Sequence, residues 1–247
     1  MSTTEPGQAD PRGDRGPSRR RIPAATPVEA VLFDFHSTLV DQGDGTAWLH
    51  AAWAQAGRIG DPGDALGGDL TTELVRLLES IWDAARLVDP ESSRDLSTAQ
   101  HRRVFDAVLA TLPDLDPSLV EALYATTTTP WLAYADSVPV LESLRARGVR
   151  TALISNVGLD VRPVLERTGL APLLDVVVLS CEAGMVKPQA GIFAHALSLL
   201  GVAPGRALMV GDSWRDDAGA AQLGIRTLLL PPTPGPDHGL ELVLRCV

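Results

Sequence analysis

Four short stretches of the chain carry side chains that could do chemistry, and each follows an apolar run. The first begins at Asp34, the second is Ser155-Asn156, the third contains Lys187 and the fourth runs from Gly211-Asp212 to Asp217. Two separate carboxylates can share Mg²⁺, a hard cation that prefers oxygen ligands. A hydroxyl and a lysine can hold the oxygens of a phosphoryl group, where charge spreads in the transition state. A carboxylate that attacks phosphorus forms an acyl phosphate, which water then hydrolyses.

These residues lie where buried strands are predicted to end. The run from Val28 to Phe33 is apolar and stops abruptly at Asp34, as a buried strand does. Similar runs recur and alternate with helical patterns that end at glycine; the runs are 149–154, 176–179, 207–210 and 227–230. This alternation predicts an α/β fold with a doubly wound, parallel, Rossmann-like sheet, whose strands end at one shared edge.

The stretch 46–130 interrupts the alternation, because it shows helical periodicity and no convincing strand. Seven apolar residues have the spacing of one amphipathic helix: Leu70, Leu74, Leu77, Leu78, Ile81, Ala85 and Val88. Large aromatics at helical spacing usually pack, so Trp48, Trp53 and Trp82 are expected in a core. The stretch is therefore predicted to be an all-helical insertion.

The chain is accordingly divided into a polar tail over 1–27, a core domain over 28–45 and 131–247, and a helical cap domain over 46–130. The tail is rich in Pro, Gly and Arg, which predicts disorder and no membrane anchor. The formal net charge of −10 argues against nucleic-acid and membrane partners, which excess Lys and Arg would bind. Two cysteines cannot form a disulfide framework and suit a reducing compartment, so we expect a cytoplasmic protein. The sequence indicates no oligomeric state.

Together the four motifs resemble those of the haloacid dehalogenase-like hydrolases: a leading aspartate, a Ser or Thr, a Lys and a GDxxxxD-type motif. The resemblance extends from about Val28 to Leu230, and the insertion is placed like the helical C1-type cap of subfamily I. It implies Mg²⁺ and a small phosphorylated substrate. It also implies site residues: Asp34, His36 and Lys187 in catalysis; Thr38, Ser155, Asn156 and Lys187 in phosphate binding; and Asp34, the backbone carbonyl of His36, Asp212 and Asp217 in metal binding, with Asp216 as a further metal-supporting candidate.

Two positions depart from the family's pattern. In its phosphatases the residue two after the nucleophile is a second aspartate, the acid and base of the reaction, and here it is His36. An imidazole titrates near neutrality and can serve as proton donor and acceptor. Ser37 replaces the usual glycine, which bears on the tightness of the following turn.

Three functions stay open at this point: a phosphatase for small phosphate esters, a binding or regulatory protein that kept the fold, and a hydrolase of carbon–halogen bonds. The acidic fourth motif favours the phosphatase, because metal-free dehalogenases do not need it. A Schiff-base phosphonate hydrolase would want a cap lysine, and 46–130 contains none. Candidates for substrate contact are the basic residues of the cap: His50, Arg58, Arg76, Arg86, Arg94, His101, Arg102 and Arg103.

Overall fold

A computed structural model of the chain describes Met1 and residues 26–112, 115–232 and 235–247. Most of the predicted tail therefore lies outside the described residues. The strands are β1 (Ala30–Phe33), β2 (Val40–Asp41), β3 (Leu132–Ala133), β4 (Arg150–Ser155), β5 (Val176–Leu179), β6 (Ala207–Gly211) and β7 (Arg226–Leu229). The α-helices are α1 (Gly45–Gln55), α2 (Pro62–Leu66), α3 (Gly68–Glu79), α4 (Ile81–Val88), α5 (Thr98–Leu109), α6 (Pro117–Ala125), α7 (Ser137–Ala146), α8 (Arg162–Arg167), α9 (Ser180–Ala183) and α10 (Ala190–Leu200). Short 3-10 helices cover Ser93–Leu96, Ala171–Leu173, Pro204–Arg206, Asp217–Leu223 and Leu240–Arg245.

Five strands form one parallel sheet in the order β5-β4-β1-β6-β7. The first strand in the chain is thus the central one, and Phe33 at its end lies opposite Leu153 of β4 and Val210 of β6. Its four residues are wholly buried, as expected for a parallel strand covered on both faces. The predicted doubly wound parallel sheet is confirmed.

The side chains of β1 alternate between two separate apolar layers. Val31 and Phe33 belong to a cluster that includes Leu141 of α7 and residues of α8. Ala30 and Leu32 belong to a second cluster, built with α10 on the opposite face. Because side chains alternate across a strand, the sheet is covered by helices on both sides.

Helices α1 to α6 lie between β2 and β3 and bury an apolar cluster of their own, which includes Trp48, Trp53 and Phe105. The strands β2 and β3 pair with each other in an antiparallel manner, and no pattern in the sequence predicted this two-stranded ribbon. The chain enters the helical insertion after β2 and leaves it before β3, so this ribbon joins the insertion to the sheet. The two connecting segments pack closely, because a Cβ on Gly43 would lie 2.4 Å from the carbonyl oxygen of Pro130. Within the described ranges, no helix has the length and apolar character needed to cross a membrane.

The single amphipathic helix predicted from Leu70 to Val88 is wrong, because α3 and α4 are separate helices that meet at Ser80. The Ser80 backbone N–H still donates to the carbonyl oxygens of Arg76 at 3.3 Å and Leu77 at 3.2 Å, but Ser80 itself leaves the helical conformation with φ −115° and ψ 16°. After the break Val88 is 49% exposed, although the periodicity placed it on the buried face. The fourth motif is followed by a 3-10 helix that begins at Asp217.

Candidate active site

Asp34 follows β1 directly and lies at the edge where the parallel strands end. Its backbone N–H donates to the carbonyl oxygen of Val210 at 2.9 Å, which extends the sheet by one residue. Its carboxylate oxygen Oδ2 accepts a hydrogen bond from Thr38 Oγ1 at 3.0 Å. Ser37 adopts a φ of 65°, so the turn that returns Thr38 to Asp34 uses the left-handed conformation that favours glycine. The first motif thus fixes the orientation of one carboxylate.

Lys187 reaches this carboxylate from the segment before α10. Its Nζ donates to Asp34 Oδ1 at 2.5 Å and to Asp217 Oδ1 at 2.7 Å. Burial by itself would lower the pKa of Lys187, but the two carboxylates raise that pKa above its ordinary value. The sequence holds 21 basic residues, and Lys187 is its only lysine; the others are arginines. A compact ammonium fits between two carboxylates, where a planar guanidinium requires a wider arrangement.

Asn156 holds Lys187 in place. Its Oδ1 accepts from the backbone N–H of Lys187 at 2.7 Å, and its Nδ2 donates to the carbonyl oxygen of the same residue at 2.9 Å. Asn156 follows Ser155, the buried last residue of β4. The second motif therefore positions the third through a reciprocal pair of hydrogen bonds.

Three carboxylates, those of Asp34, Asp212 and Asp217, each offer an oxygen atom within 4.8 Å of the other two. Asp217 is wholly buried, and its Oδ2 accepts from the backbone N–H of Ser213 at 2.9 Å. It packs directly on Gly211, where an added Cβ would lie 2.1 Å from that oxygen. The glycine of the fourth motif therefore makes room for its last aspartate.

The electrostatics of this cluster suit a divalent cation. Burial and the charges of Asp34 and Asp217 raise the pKa of Asp212 to about 7. Burial also raises the pKa of Asp217 to about 6, against the opposing effect of Lys187. Three carboxylates and one ammonium leave two negative charges, which an ion such as Mg²⁺ would neutralise with the oxygen ligands it prefers. The donor set fits Mg²⁺.

Asp216, beside the cluster, faces the helical insertion. Its Oδ2 accepts from Ser213 Oγ at 2.9 Å and lies 3.4 Å from Arg86 Nη2 of α4. The structure thus separates the two consecutive aspartates of the fourth motif. Asp217 contacts Lys187, and Asp216 contacts the insertion.

His36 lies beside the site with its ring against Trp131, at a centroid distance of 5.1 Å. Its Nδ1 is 3.5 Å from Ser37 Oγ, and its Nε2 is buried with no hydrogen-bond partner among the described residues. Burial lowers the pKa of His36 to about 4, although Asp41 opposes the shift. The imidazole is therefore neutral near pH 7. Trp131 was not predicted as a site residue. It directly follows the insertion and belongs to no helical or strand periodicity that would have indicated its position.

A cavity of about 370 Å³ opens between the sheet edge and the insertion, enough for a small phosphate ester. Six predicted site residues line the cavity on the side of the sheet: Asp34, His36, Ser155, Asn156, Lys187 and Asp212. Three of the eight cap candidates line its roof: Arg86, Arg94 and His101. His50 and Arg76 line a different cavity. Trp82, expected in a core, is only partly buried and lines the roof, whereas Trp48 and Trp53 are buried as predicted.

Comparisons with known proteins identify the family of the chain. The family model for haloacid dehalogenase-like hydrolases matches residues 28–224. Haloacid dehalogenase-like hydrolase domain-containing protein 3 of Xenopus laevis is 35% identical over 50% of this chain and 52% of the relative. Glyceraldehyde 3-phosphate phosphatase of Methanopyrus kandleri is 29% identical over 81% of this chain and 83% of the relative. The chain spans about half the length of the first curated relatives it matches.

A solved structure extends the likeness to the fold. The putative HAD-hydrolase YfnB of Bacillus subtilis, solved bound to magnesium, is similar with a TM-score of 0.62 and 16% identity, over 90% of this chain and 99% of that one. The sheet order, the four motifs at one edge and the match over residues 28–224 agree with one another. The chain belongs to the haloacid dehalogenase-like hydrolases.

Proposed function

We propose that the protein is a Mg²⁺-dependent phosphatase that hydrolyses a small phosphate ester through an aspartyl-phosphate intermediate. The observation that carries the proposal is the cluster of Asp34, Asp212 and Asp217 around Lys187 at the floor of the cavity. The archaeal relative that aligns over most of the chain bears a phosphatase name, which supports the same chemistry.

Asp34 is the nucleophile of the first step. One of its oxygens forms a bond to phosphorus, the bond between phosphorus and the ester oxygen breaks, and the ester oxygen leaves as an alkoxide that takes its proton from solvent water or from the small protonated fraction of His36. Lys187 and Ser155 hold the phosphoryl oxygens. Asn156 and Thr38, predicted to bind phosphate, have their side chains on Lys187 and Asp34; we assign them to positioning those two residues.

Mg²⁺, when bound, supplies positive charge that offsets the repulsion between an anionic nucleophile and an anionic phosphate. Asp34, Asp212 and Asp217 would hold it, with the backbone carbonyl of His36 as the further predicted ligand. Lys187 keeps two of these carboxylates close together despite their like charge.

His36 acts in the second step, in which water attacks the phosphorus of the aspartyl phosphate and Asp34 is released. A neutral imidazole that lines the cavity can accept the proton that water loses. In the first step the same imidazole is a weak donor near pH 7, so esters whose alcohols leave without prior protonation are expected to react faster.

The test is phosphate release from a panel of esters by the full chain, with and without Mg²⁺. Turnover that requires Mg²⁺ and disappears in Asp34→Asn supports the proposal. Borohydride reduction during turnover should convert residue 34 to homoserine, a mass change that Asp34→Asn cannot give. If the wild type releases phosphate from no ester of the panel, the proposal is contradicted.

The two rivals give different results in the same assays. A non-catalytic binding protein that lost its second aspartate should show no turnover, and His36→Asp should create it. A dehalogenase should release halide from 2-haloacids without Mg²⁺. In a phosphatase that uses its imidazole, His36→Ala should lower the rate of aspartyl-phosphate breakdown.

A further inference from the structure

Arg94 is a buried arginine in the roof of the cavity. It lies in the 3-10 helix Ser93–Leu96 and is 5% exposed. A Cβ on Gly158 would lie 2.3 Å from the Arg94 carbonyl oxygen, so the roof rests directly on the loop that follows Ser155. Next to it, the Ser180 hydroxyl donates to the carbonyl oxygen of Asp95 at 2.5 Å. Arg94 is thereby held above the residues proposed to hold the phosphoryl group.

The protein's own groups satisfy the guanidinium of Arg94 poorly. Its contacts are 3.4 Å to the Asp89 carbonyl oxygen, 3.5 Å to Ser92 Oγ, 3.8 Å to the Asp89 carboxylate and 3.6 Å to that of Asp95. All exceed the roughly 2.7–3.2 Å of a good N–H···O bond. Two other arginines have shorter ion pairs: Arg162 lies 2.7 Å from Glu182, and Arg58 lies 2.9 Å from Asp116.

The acidic neighbours of Arg94 differ in what they already bind. The Asp89 carboxylate accepts from the Arg94 backbone N–H at 2.8 Å and from Ser93 Oγ at 2.7 Å, so it caps the local turn. The Asp95 carboxylate lines the cavity and has Arg94 as its one charged contact within 4 Å among the described residues. The roof thus places the N–H donors of the planar Arg94 guanidinium next to the Asp95 carboxylate, which is an acceptor.

We infer that Arg94 is a specificity-determining residue that binds a carboxylate on the leaving group, so that the substrates are phosphate esters of small hydroxy acids. The inference rests on the proposed function. A carboxylate matches the guanidinium fork in two parallel hydrogen bonds. A hydroxyl or ammonium next to that carboxylate would donate to Asp95. The cavity of about 370 Å³ suits an ester of this size.

The experiment compares esters with and without the carboxylate: O-phosphoserine with O-phosphoethanolamine, and 3-phosphoglycerate with glycerol 3-phosphate, in which a hydroxymethyl group replaces the carboxylate. The wild type should favour the carboxylate member of at least one pair by roughly 10- to 100-fold in kcat/KM, the value of a charge-assisted hydrogen bond. The pair with the larger ratio identifies which group of the substrate, the ammonium or the hydroxyl, donates a hydrogen bond to Asp95. Arg94→Met should reduce that preference to within about threefold.

Two further variants separate recognition from folding. Arg94→Lys keeps a charge beside Asp89 and Asp95 and loses the fork, so it should fold and retain only part of the preference. Arg58→Met removes a short ion pair of the insertion outside this cavity, so this variant should keep the full preference for the carboxylate ester.

Equal kcat/KM values within both pairs, or a preference that survives Arg94→Met, would overturn the inference and leave the phosphatase proposal standing. If the wild type hydrolyses no ester, the phosphatase proposal fails. The inference is then decided by calorimetric binding of 3-phosphoglycerate, which should weaken at least tenfold in Arg94→Met relative to Arg58→Met; equal affinities would refute it.

Discussion

Lys187→Met should destabilise the folded protein strongly, because it leaves two buried carboxylates without their cation. The Lys187 side chain is 2% exposed, and those of Asp34 and Asp217 are 10% and 0% exposed. Removal of one partner from a buried ion pair costs about 3–5 kcal/mol. For a chain of this size each kcal/mol moves Tm by roughly 2–4 °C, so we expect a fall of about 6–20 °C.

The loss of stability should depend on pH in a defined direction. Without the ammonium, the folded-state pKa of Asp217 rises further above that of the unfolded chain. A carboxyl whose pKa is raised on folding stabilises the folded state at low pH, and this contribution is lost as pH rises through the folded pKa. Since the pKa of Asp217 is about 6 even with the lysine present, the penalty should be largest above pH 7 and shrink towards pH 5.

The assay is urea unfolding of wild type and variant between pH 5 and 8 in the presence of a chelator, with Lys187→Arg as the matched control. The arginine keeps the charge without the compact geometry, so it should recover part of the stability and little of the activity. A Lys187→Met penalty below 1 kcal/mol at pH 8, or one that grows on acidification, would refute this account of the site.

Three further predictions concern the fourth motif and the roof. Gly211→Ala places a Cβ 2.1 Å from Asp217 Oδ2 and should lower kcat by roughly 100-fold by displacing that carboxylate; an unchanged kcat would contradict it. Mg²⁺ affinity measured by calorimetry should fall about tenfold or more from pH 8 to 5.5, because protons compete for Asp212 and Asp217, whose pKa values are about 7 and 6; a flat profile would count against shared ligation. Ser180→Ala removes a buried hydroxyl that links the insertion to the sheet and should cost about 1–3 kcal/mol in urea unfolding, with a raised KM.

The sequence was sufficient for the sheet and for the positions of the motifs along it. A buried parallel strand needs only a short apolar run, and such runs placed Asp34 and Ser155 at strand ends, where the structure has them. The helical insertion also followed from periodicity alone. Its helix boundaries did not, because the helices separate at Ser80, where the apolar spacing continues without a break.

Only the tertiary structure decided which polar groups meet. Eight basic residues of the insertion looked alike in sequence, but the fold brings only Arg86, Arg94 and His101 to the roof of the cavity, with the turn at Arg94 packed against Gly158. Asp216 and Asp217 are adjacent in the chain, yet one faces Arg86 and the other Lys187. Periodicity reports which face of an element is buried, since burial repeats along the chain. The partner of a buried charge depends on contacts between segments far apart in sequence, and no local pattern encodes them.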